Sequence, residues 1–307
     1  MTAAAAHPPA RPVLRAWIGA LRPKTLGASL CPVAMGAALA WHDGAFTWAP
    51  VVASLAGACL LQVASNLAND LFDGIRGTDS GARLGPVRAV ASGAITPRAM
   101  AMALAVTLTL AALPAAYLSM HAGAWFAVIG VLGALSAVAY TGGPAPLAYV
   151  GLGDVFVFAF FGPVAVAGTR AACDGAWTAE AAFLGIAPGA IGTCLLATNN
   201  LRDRAGDALA RKRTIVVRFG ERFGRTLIAA CHAAAIAVPA AACAWFGLPK
   251  AALAASALAA AFVPVTVQVL HGRDGMALNS TLAGYGALLY GYGIAFAAAI
   301  RLGSDAP

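Results

Sequence analysis

Two stretches of this chain gather most of the residues able to do polar chemistry. The first is Asn66-Leu-Ala-Asn-Asp70-Leu-Phe-Asp-Gly-Ile-Arg-Gly-Thr-Asp79. Asn66, Asp70 and Asp73 are spaced four and then three residues apart, which puts them on one face of a helix, and Asn69 and Asp73 make a second i,i+4 pair close to that face. The second is Asn199-Asn200-Leu-Arg-Asp203-Arg-Ala-Gly-Asp207, where Asn199, Asp203 and Asp207 share a face and Arg211, Lys212 and Arg213 follow. Clustered carboxylates at the end of an apolar helix repel one another unless a cation or solvent compensates them. Ligand sets of oxygen alone, without His or Cys, suit a hard cation, and Mg2+ is the usual partner of phosphate substrates. Two such faces opposite one another could hold about two Mg2+ ions against a diphosphate, with Arg and Lys reaching its remaining oxygens. That arrangement would help a carbon–oxygen bond to the diphosphate break and release an allylic cation. Two other readings use the same residues: an ion or substrate path in a transporter, and polar loops that merely end helices.

The elements that carry these residues are apolar. Of 307 residues, 61% are hydrophobic and only 10% charged, against about 25% charged in a soluble domain. Mean hydropathy is +0.79. Between Ala99 and Thr169 the only charged residue is Asp154, and between Thr226 and Leu270 it is Lys250. The expected fold class is therefore all-α, a polytopic membrane helical bundle. Nine transmembrane helices are expected, over 25–41, 50–69, 99–118, 123–141, 147–169, 180–199, 225–246, 249–270 and 278–300, most of them near the ~20 residues that span a bilayer. With the N-terminus cytoplasmic and the C-terminus outside, every Lys and Arg except Arg170, Lys250 and Arg301 falls on the inner side. Both polar stretches then face the cytoplasm. This topology accounts for the net charge of +8 without nucleic acid as a partner. The expected organisation is an N-terminal cytoplasmic arm (1–24), a single membrane domain (25–301) and a short tail (302–307). Trp17, Arg22 and Lys24 suit the headgroup level. The six cysteines form no Cys-x-x-Cys pair and mostly sit in apolar runs, as small hydrophobes do. No cleavable signal pattern and no Gly-Lys-Ser/Thr phosphate loop is found.

At the two acidic stretches the chain resembles the intramembrane aromatic prenyltransferases, and more narrowly the 1,4-dihydroxy-2-naphthoate polyprenyltransferases of menaquinone synthesis. The resemblance runs through most of the chain: Arg22-Pro-Lys-Thr-Leu26 with Pro32, the Asn66–Asp79 motif, Arg83-Leu-Gly-Pro-x-Arg88 running on to Gly93, Tyr140-Thr-Gly-Gly-Pro144, Gly151-Leu-Gly-Asp154, and Asn199–Asp207 followed by Lys212-Arg-Thr. Asp154 stands where the family is expected to carry Glu, which keeps the carboxylate and shortens its reach by one methylene. The resemblance implies transfer of a polyprenyl group from its diphosphate to 1,4-dihydroxy-2-naphthoate with loss of the ring carboxylate. A multi-pass enzyme of the bacterial cytoplasmic membrane is implied, opening on the cytoplasmic side and in contact with membrane lipid. Acceptors such as 4-hydroxybenzoate or homogentisate are the nearest alternatives. By the same resemblance, Asp70, Asp73, Asp203 and Asp207 would carry Mg2+ and Asp79 would assist. Asn66, Asn69, Asn199 and Asn200 would support metal or phosphate. Arg83, Arg88, Lys212 and Arg213 are candidates for phosphate or a substrate carboxylate, while Lys24, Tyr140 and Asp154 would border the aromatic pocket.

Overall fold

A computed structural model describes residues 10–77, 84 and 88–303, with side chains from residue 13 onward. Asp79 and Arg83 lie outside the described residues. Thirteen α-helices follow in chain order among those described: α1 (Ala10–Leu21), α2 (Gly27–His42), α3 (Trp48–Arg76), α4 (Pro97–Ala122), α5 (Trp125–Ala139), α6 (Gly153–Phe160), α7 (Pro163–Asp174), α8 (Ala179–Leu184), α9 (Ile186–Leu209), α10 (Ile215–Phe246), α11 (Leu253–Ala261), α12 (Val263–Leu270) and α13 (Leu278–Gly303). The chain is all-α as expected. Several boundaries follow from local chemistry. Thr96 caps α4 through its side chain, with Pro97 at the first helical position, and Thr214 caps α10 in the same way. Gly77 ends α3 at φ 69°, a left-handed conformation that glycine adopts without a Cβ penalty.

The expected count of nine spans is corrected by the helix lengths. Seven stretches among the described residues are long and apolar enough to cross a membrane: Trp48–Arg76, Pro97–Ala122, Gly153–Asp174, Ala179–Leu209, Ile215–Phe246, Lys250–Leu270 and Gly275–Gly303. The other two expected spans fold as shorter helices. Helix α2 has 16 residues and α5 has 15; at 1.5 Å per residue each covers roughly 22–24 Å, short of the ~30 Å hydrocarbon core. The first loses length to the 3-10 turn Pro23–Thr25, the second to the turns that begin at Tyr140. The N-in, C-out arrangement derived from nine spans does not stand either.

Among the described residues two large packed cores, with a small third around Leu118, Phe126, Ala171 and Ala172, hold the bundle together. One joins α2 and α7–α13 around Met35, Leu184, Ile191, Leu201, Tyr285 and Phe296. The other joins α1, α3 and α4 to the segment after α3, around Leu67, Leu71, Met100, Leu104, Val90 and Ile95. Beside the first core the α6/α7 and α8/α9 pairs meet backbone to backbone. A Cβ on Gly162 would lie 2.5 Å from the Gly185 carbonyl oxygen, and one on Gly189 would lie 2.5 Å from that of Phe158. Small residues at such crossings let helices approach closely where lipid offers no hydrophobic drive to associate. Large apolar side chains on the outside of α4 and α5, among them Met102, Val106, Leu113, Val131 and Leu135, are exposed, a surface suited to lipid.

Candidate active site

A cavity of about 830 Å3 lies between α3–α5 and α6, α7 and α9. Most of its wall is apolar, from Ala111, Pro114, Phe126 and Ala134 to Phe160 and Leu195. Its polar end is built where α3 and α9 finish. Helix α3 turns Leu61, Gln62, Ser65, Asn66, Asn69 and Asp73 toward the cavity, and α9 turns Leu195, Leu196, Asn199, Asn200, Asp203 and Asp207. These two series have the same spacing, so Asn66 matches Asn200, Asn69 matches Asp203 and Asp73 matches Asp207. Asp73 and Asp207 fall in the last turns of their helices, where the helix dipoles add negative potential and favour a cation.

Lys212 ties the two series together, with its Nζ 3.9 Å from Asp73 Oδ2 and 4.0 Å from Asp207 Oδ1. Asp73, 2% exposed, also accepts from Arg88 Nη2 at 3.2 Å and from the Tyr149 hydroxyl at 3.0 Å. Tyr149 is flanked by cations: Arg76 lies 5.2 Å and Lys212 5.6 Å from its ring centroid. Arg76 donates to the carbonyls of Thr141 and Gly143, which fixes the loop after α5 against the end of α3. Across the cavity, Arg202 holds Asp203 with two hydrogen bonds, Nε to Oδ1 at 2.8 Å and Nη2 to Oδ2 at 2.6 Å. It also donates to Asn199 Oδ1 at 2.7 Å and to Asn279 Oδ1 at 2.8 Å. A planar guanidinium suits this forked hold. Burial lowers the Arg88 pKa, and Asp73, Asp70, Tyr149 and Asp203 oppose that fall.

The residues expected from sequence divide clearly. Asn66, Asn69, Asp73, Arg88, Tyr140, Asn199, Asn200, Asp203, Asp207 and Lys212 all line the cavity. Asn66 is held in place, its Nδ2 donating to Leu21 O at 3.0 Å and to Thr25 Oγ1 at 3.1 Å. Asp70 is buried but does not line the cavity. Its two oxygens accept from the backbone N–H groups of Val90 (2.9 Å) and Ala89 (3.1 Å). Asp154 is buried behind Asn200, whose Nδ2 donates to its Oδ2 at 3.4 Å. Lys24 and Arg213 are exposed and off the cavity wall.

Arg22, read from sequence as a headgroup anchor, lines the cavity instead. It does so from a left-handed backbone at φ 51°, an uncommon conformation for a non-glycine residue. Tyr149 and Arg202 also belong to the site and were not expected from sequence. Arg202 sits inside the second motif, so its place beside two amides and an acid was the available signal; Tyr149 lies outside the quoted motifs and had none.

The donor set fits a hard cation. Asp73, Asp203 and Asp207 offer carboxylate oxygens, and the buried Oδ1 of Asn69 makes no hydrogen bond. No three His, Cys, Asp or Glu side chains among the described residues converge into an all-protein metal centre. Mg2+ seldom needs one, since it is usually held through one or two carboxylates together with substrate phosphates and water.

Known proteins share this sequence and fold. The 1,4-dihydroxy-2-naphthoate octaprenyltransferase of Mycobacterium tuberculosis is 42% identical over 214 residues, covering 69% of this chain and 72% of that protein. The solved structure of a UbiA homolog from Aeropyrum pernix K1 superposes with a TM-score of 0.71 at 20% identity, over 92% of this chain and 98% of the other. A UbiA homolog from Archaeoglobus fulgidus, solved bound to GPP and Mg2+, gives a TM-score of 0.64 at 17% identity over 92% and 99%. The model of the UbiA prenyltransferase family matches residues 29–299, and the chain belongs to that family.

Proposed function

We propose that this chain transfers a polyprenyl group from its diphosphate to 1,4-dihydroxy-2-naphthoate, with loss of the ring carboxylate, in a Mg2+-dependent reaction. The observation that carries this reading is the convergence of the matched Asn/Asp faces of α3 and α9 at the polar end of an apolar cavity. A substrate with a multiply charged head and a long hydrocarbon tail fits such a space end for end. Among the described residues the charged lining is Arg22, Arg88 and Lys212 against Asp73, Asp203 and Asp207, so the wall is formally neutral by itself. A diphosphate entering it brings negative charge that this wall does not balance. Bound Mg2+ would supply that balance and make the diphosphate a better leaving group. Asn69, Asp73, Asp203 and Asp207 are the residues placed to hold it.

The other side chains then have distinct tasks. Arg88 and Lys212 meet the phosphate oxygens, and Arg202 keeps Asp203 in one orientation. Asn200 is oriented by Asp154. The apolar wall excludes water from the allylic cation that forms when the carbon–oxygen bond breaks, and the electron-rich ring of the acceptor attacks it. Tyr140 borders the acceptor's end of the cavity. The polar end of the cavity adjoins the segments that carry Arg76, Arg88, Lys212 and Arg213, and on the positive-inside tendency this reading puts that end at the cytoplasmic face of a bacterial inner membrane.

The test is direct. Membranes containing the chain are incubated with a polyprenyl diphosphate, Mg2+ and each aromatic acid in turn, and products are identified by mass. A prenylated, decarboxylated naphthalenediol is expected from 1,4-dihydroxy-2-naphthoate. Product from 4-hydroxybenzoate alone would sink the acceptor assignment, and no Mg2+-dependent product from any acid would sink the enzyme reading.

A further inference from the structure

Asp70 reads from sequence as a metal ligand, yet three observations set it apart from the ligand face. It is 3% exposed and absent from the cavity wall. Both of its oxygens accept backbone N–H groups of the segment that follows the motif, from Ala89 and Val90. In the matched series of α9 its counterpart is Arg204, which also faces away from the cavity and pairs with Glu221.

The segment Asp70 holds is a compact strap. The Ser92 N–H donates to the Arg88 carbonyl at 3.0 Å, Gly93 N–H to Val90 O at 3.0 Å, and Ile95 N–H to Ala89 O at 3.1 Å. The side chains of Ala89, Val90 and Ile95 are buried in the α3–α4 core. At its start stands Arg88, which lines the cavity and donates to Asp73. Helix α3 meets the strap without spare room, since a Cβ on Gly74 would lie 2.8 Å from Val90 Cβ. A carboxylate accepting two adjacent backbone N–H groups is a strong, charge-assisted anchor.

We propose that Asp70 is a positioning residue: it clamps the 88–95 strap to α3 and thereby aims the Arg88 guanidinium at the diphosphate, while Asn69 and Asp73 form the metal-binding face of the same helix. This rests on the function proposed above and divides its first motif into two tasks on two faces. Removing the clamp should weaken diphosphate binding through Arg88 and leave the metal-holding groups in place.

The experiment uses the full-length protein in detergent or nanodiscs, with Asp70→Ala, Gly74→Ala, Arg88→Ala, Asp73→Ala and the Asp70→Ala/Arg88→Ala pair. The probes are Mg2+, inorganic diphosphate and amide hydrogen exchange. In Asp70→Ala the amides of the strap should exchange about 100-fold faster. Its affinity for inorganic diphosphate at saturating Mg2+ should fall about 10- to 100-fold, as for loss of one charge-assisted hydrogen bond. The Mg2+ concentration for half-maximal diphosphate binding should stay at the wild-type value, whereas Asp73→Ala raises it. Adding Asp70→Ala to Arg88→Ala should cost little more. Gly74→Ala leaves the carboxylate intact and pushes on Val90, so it should reproduce the loss, and it decides the matter if Asp70→Ala does not fold. A raised Mg2+ requirement in Asp70→Ala with unchanged strap exchange overturns the proposal, as does full additivity with Arg88→Ala or an unaffected Gly74→Ala. Failure of the wild-type protein to bind inorganic diphosphate with Mg2+ strikes the underlying function instead, and the strap exchange still reports on the clamp.

Discussion

Replacing Lys212 by Met tests the electrostatics of the site most sharply. Lys212 Nζ stands about 4 Å from a carboxylate oxygen on each motif, Asp73 on α3 and Asp207 on α9. At that distance each attraction is about 4 kcal/mol at an effective dielectric of 20. The side chains are 16%, 2% and 14% exposed, so desolvation of the lysine offsets much of the gain. The net loss expected of Lys212→Met is about 1–2 kcal/mol, between the values typical of exposed and buried pairs. Its main source is the loss of the ammonium that the two carboxylates share. Thermal unfolding of the purified variant without metal should show Tm lower by a few degrees. Millimolar Mg2+ should then raise Tm more in Lys212→Met than in the wild type, because the cation replaces the missing ammonium between the same oxygens, whereas NaCl at equal ionic strength should not. Equal Mg2+ stabilisation of both proteins would refute the argument, since Lys212 and Mg2+ would then not share a site.

Other perturbations probe other parts of the cavity. Asp203→Asn removes the charge that Arg202 grips at 2.6 Å. Its turnover should fall about 10²- to 10³-fold, the scale of losing one transition-state electrostatic contact, with more Mg2+ needed for half-maximal rate; wild-type metal dependence would rule out the assigned role. Gly185→Val places side-chain atoms where a Cβ alone would be 2.5 Å from Pro163 Cα. It should cost at least about 3 kcal/mol and abolish recovery of folded protein, whereas Gly206→Ala, with nothing within 4 Å, should be recovered as well as the wild type. Ala134→Phe narrows the apolar wall and should lower kcat/KM for long polyprenyl diphosphates more than for a C10 donor; an equal effect on both would show that the tail does not run past α5.

Much of the site was legible because its chemistry repeats at helical spacing. The Asn69–Asp73 and Asn199–Asp203–Asp207 intervals put each set on one helical face, and in the structure these five residues line the cavity. The place of Asp70 was not legible, because intervals of three and of four both read as one face until the neighbouring elements are known. In α3 the residue one position past Asn69 turns toward the strap, and only the N–H groups of Ala89 and Val90, nineteen and twenty residues on, reveal what its carboxylate is for. Arg22 and Tyr149 were obscured for a related reason. Each reaches the site through a turn, Arg22 from a left-handed backbone and Tyr149 from the loop before α6, and periodicity carries no information about where a turn aims a side chain. The excess in the count of spans also has a physical origin. Hydropathy cannot separate a spanning helix from an apolar one that stops short at a 3-10 turn or a Gly-Gly-Pro loop, as α2 and α5 do.

The matched series of α3 and α9 show how one geometry serves two roles. Both helices bring their C-terminal ends to the site with an amide, a polar residue three positions later and a carboxylate four beyond that. At the middle position α3 carries an amide, Asn69, and α9 a carboxylate, Asp203. The acid on α9 has Arg202 beside it on its own helix, gripping both of its oxygens. On α3 the cations that approach, Arg88 and Lys212, both come from other segments and converge on Asp73. A carboxylate at position 69 would therefore add charge with no dedicated cation, and would compete with Asp73 for the two that the phosphate needs. Asn69→Asp should thus tighten Mg2+ while slowing turnover. Slower turnover without any change in Mg2+ affinity would show that charge at this position does not set metal binding.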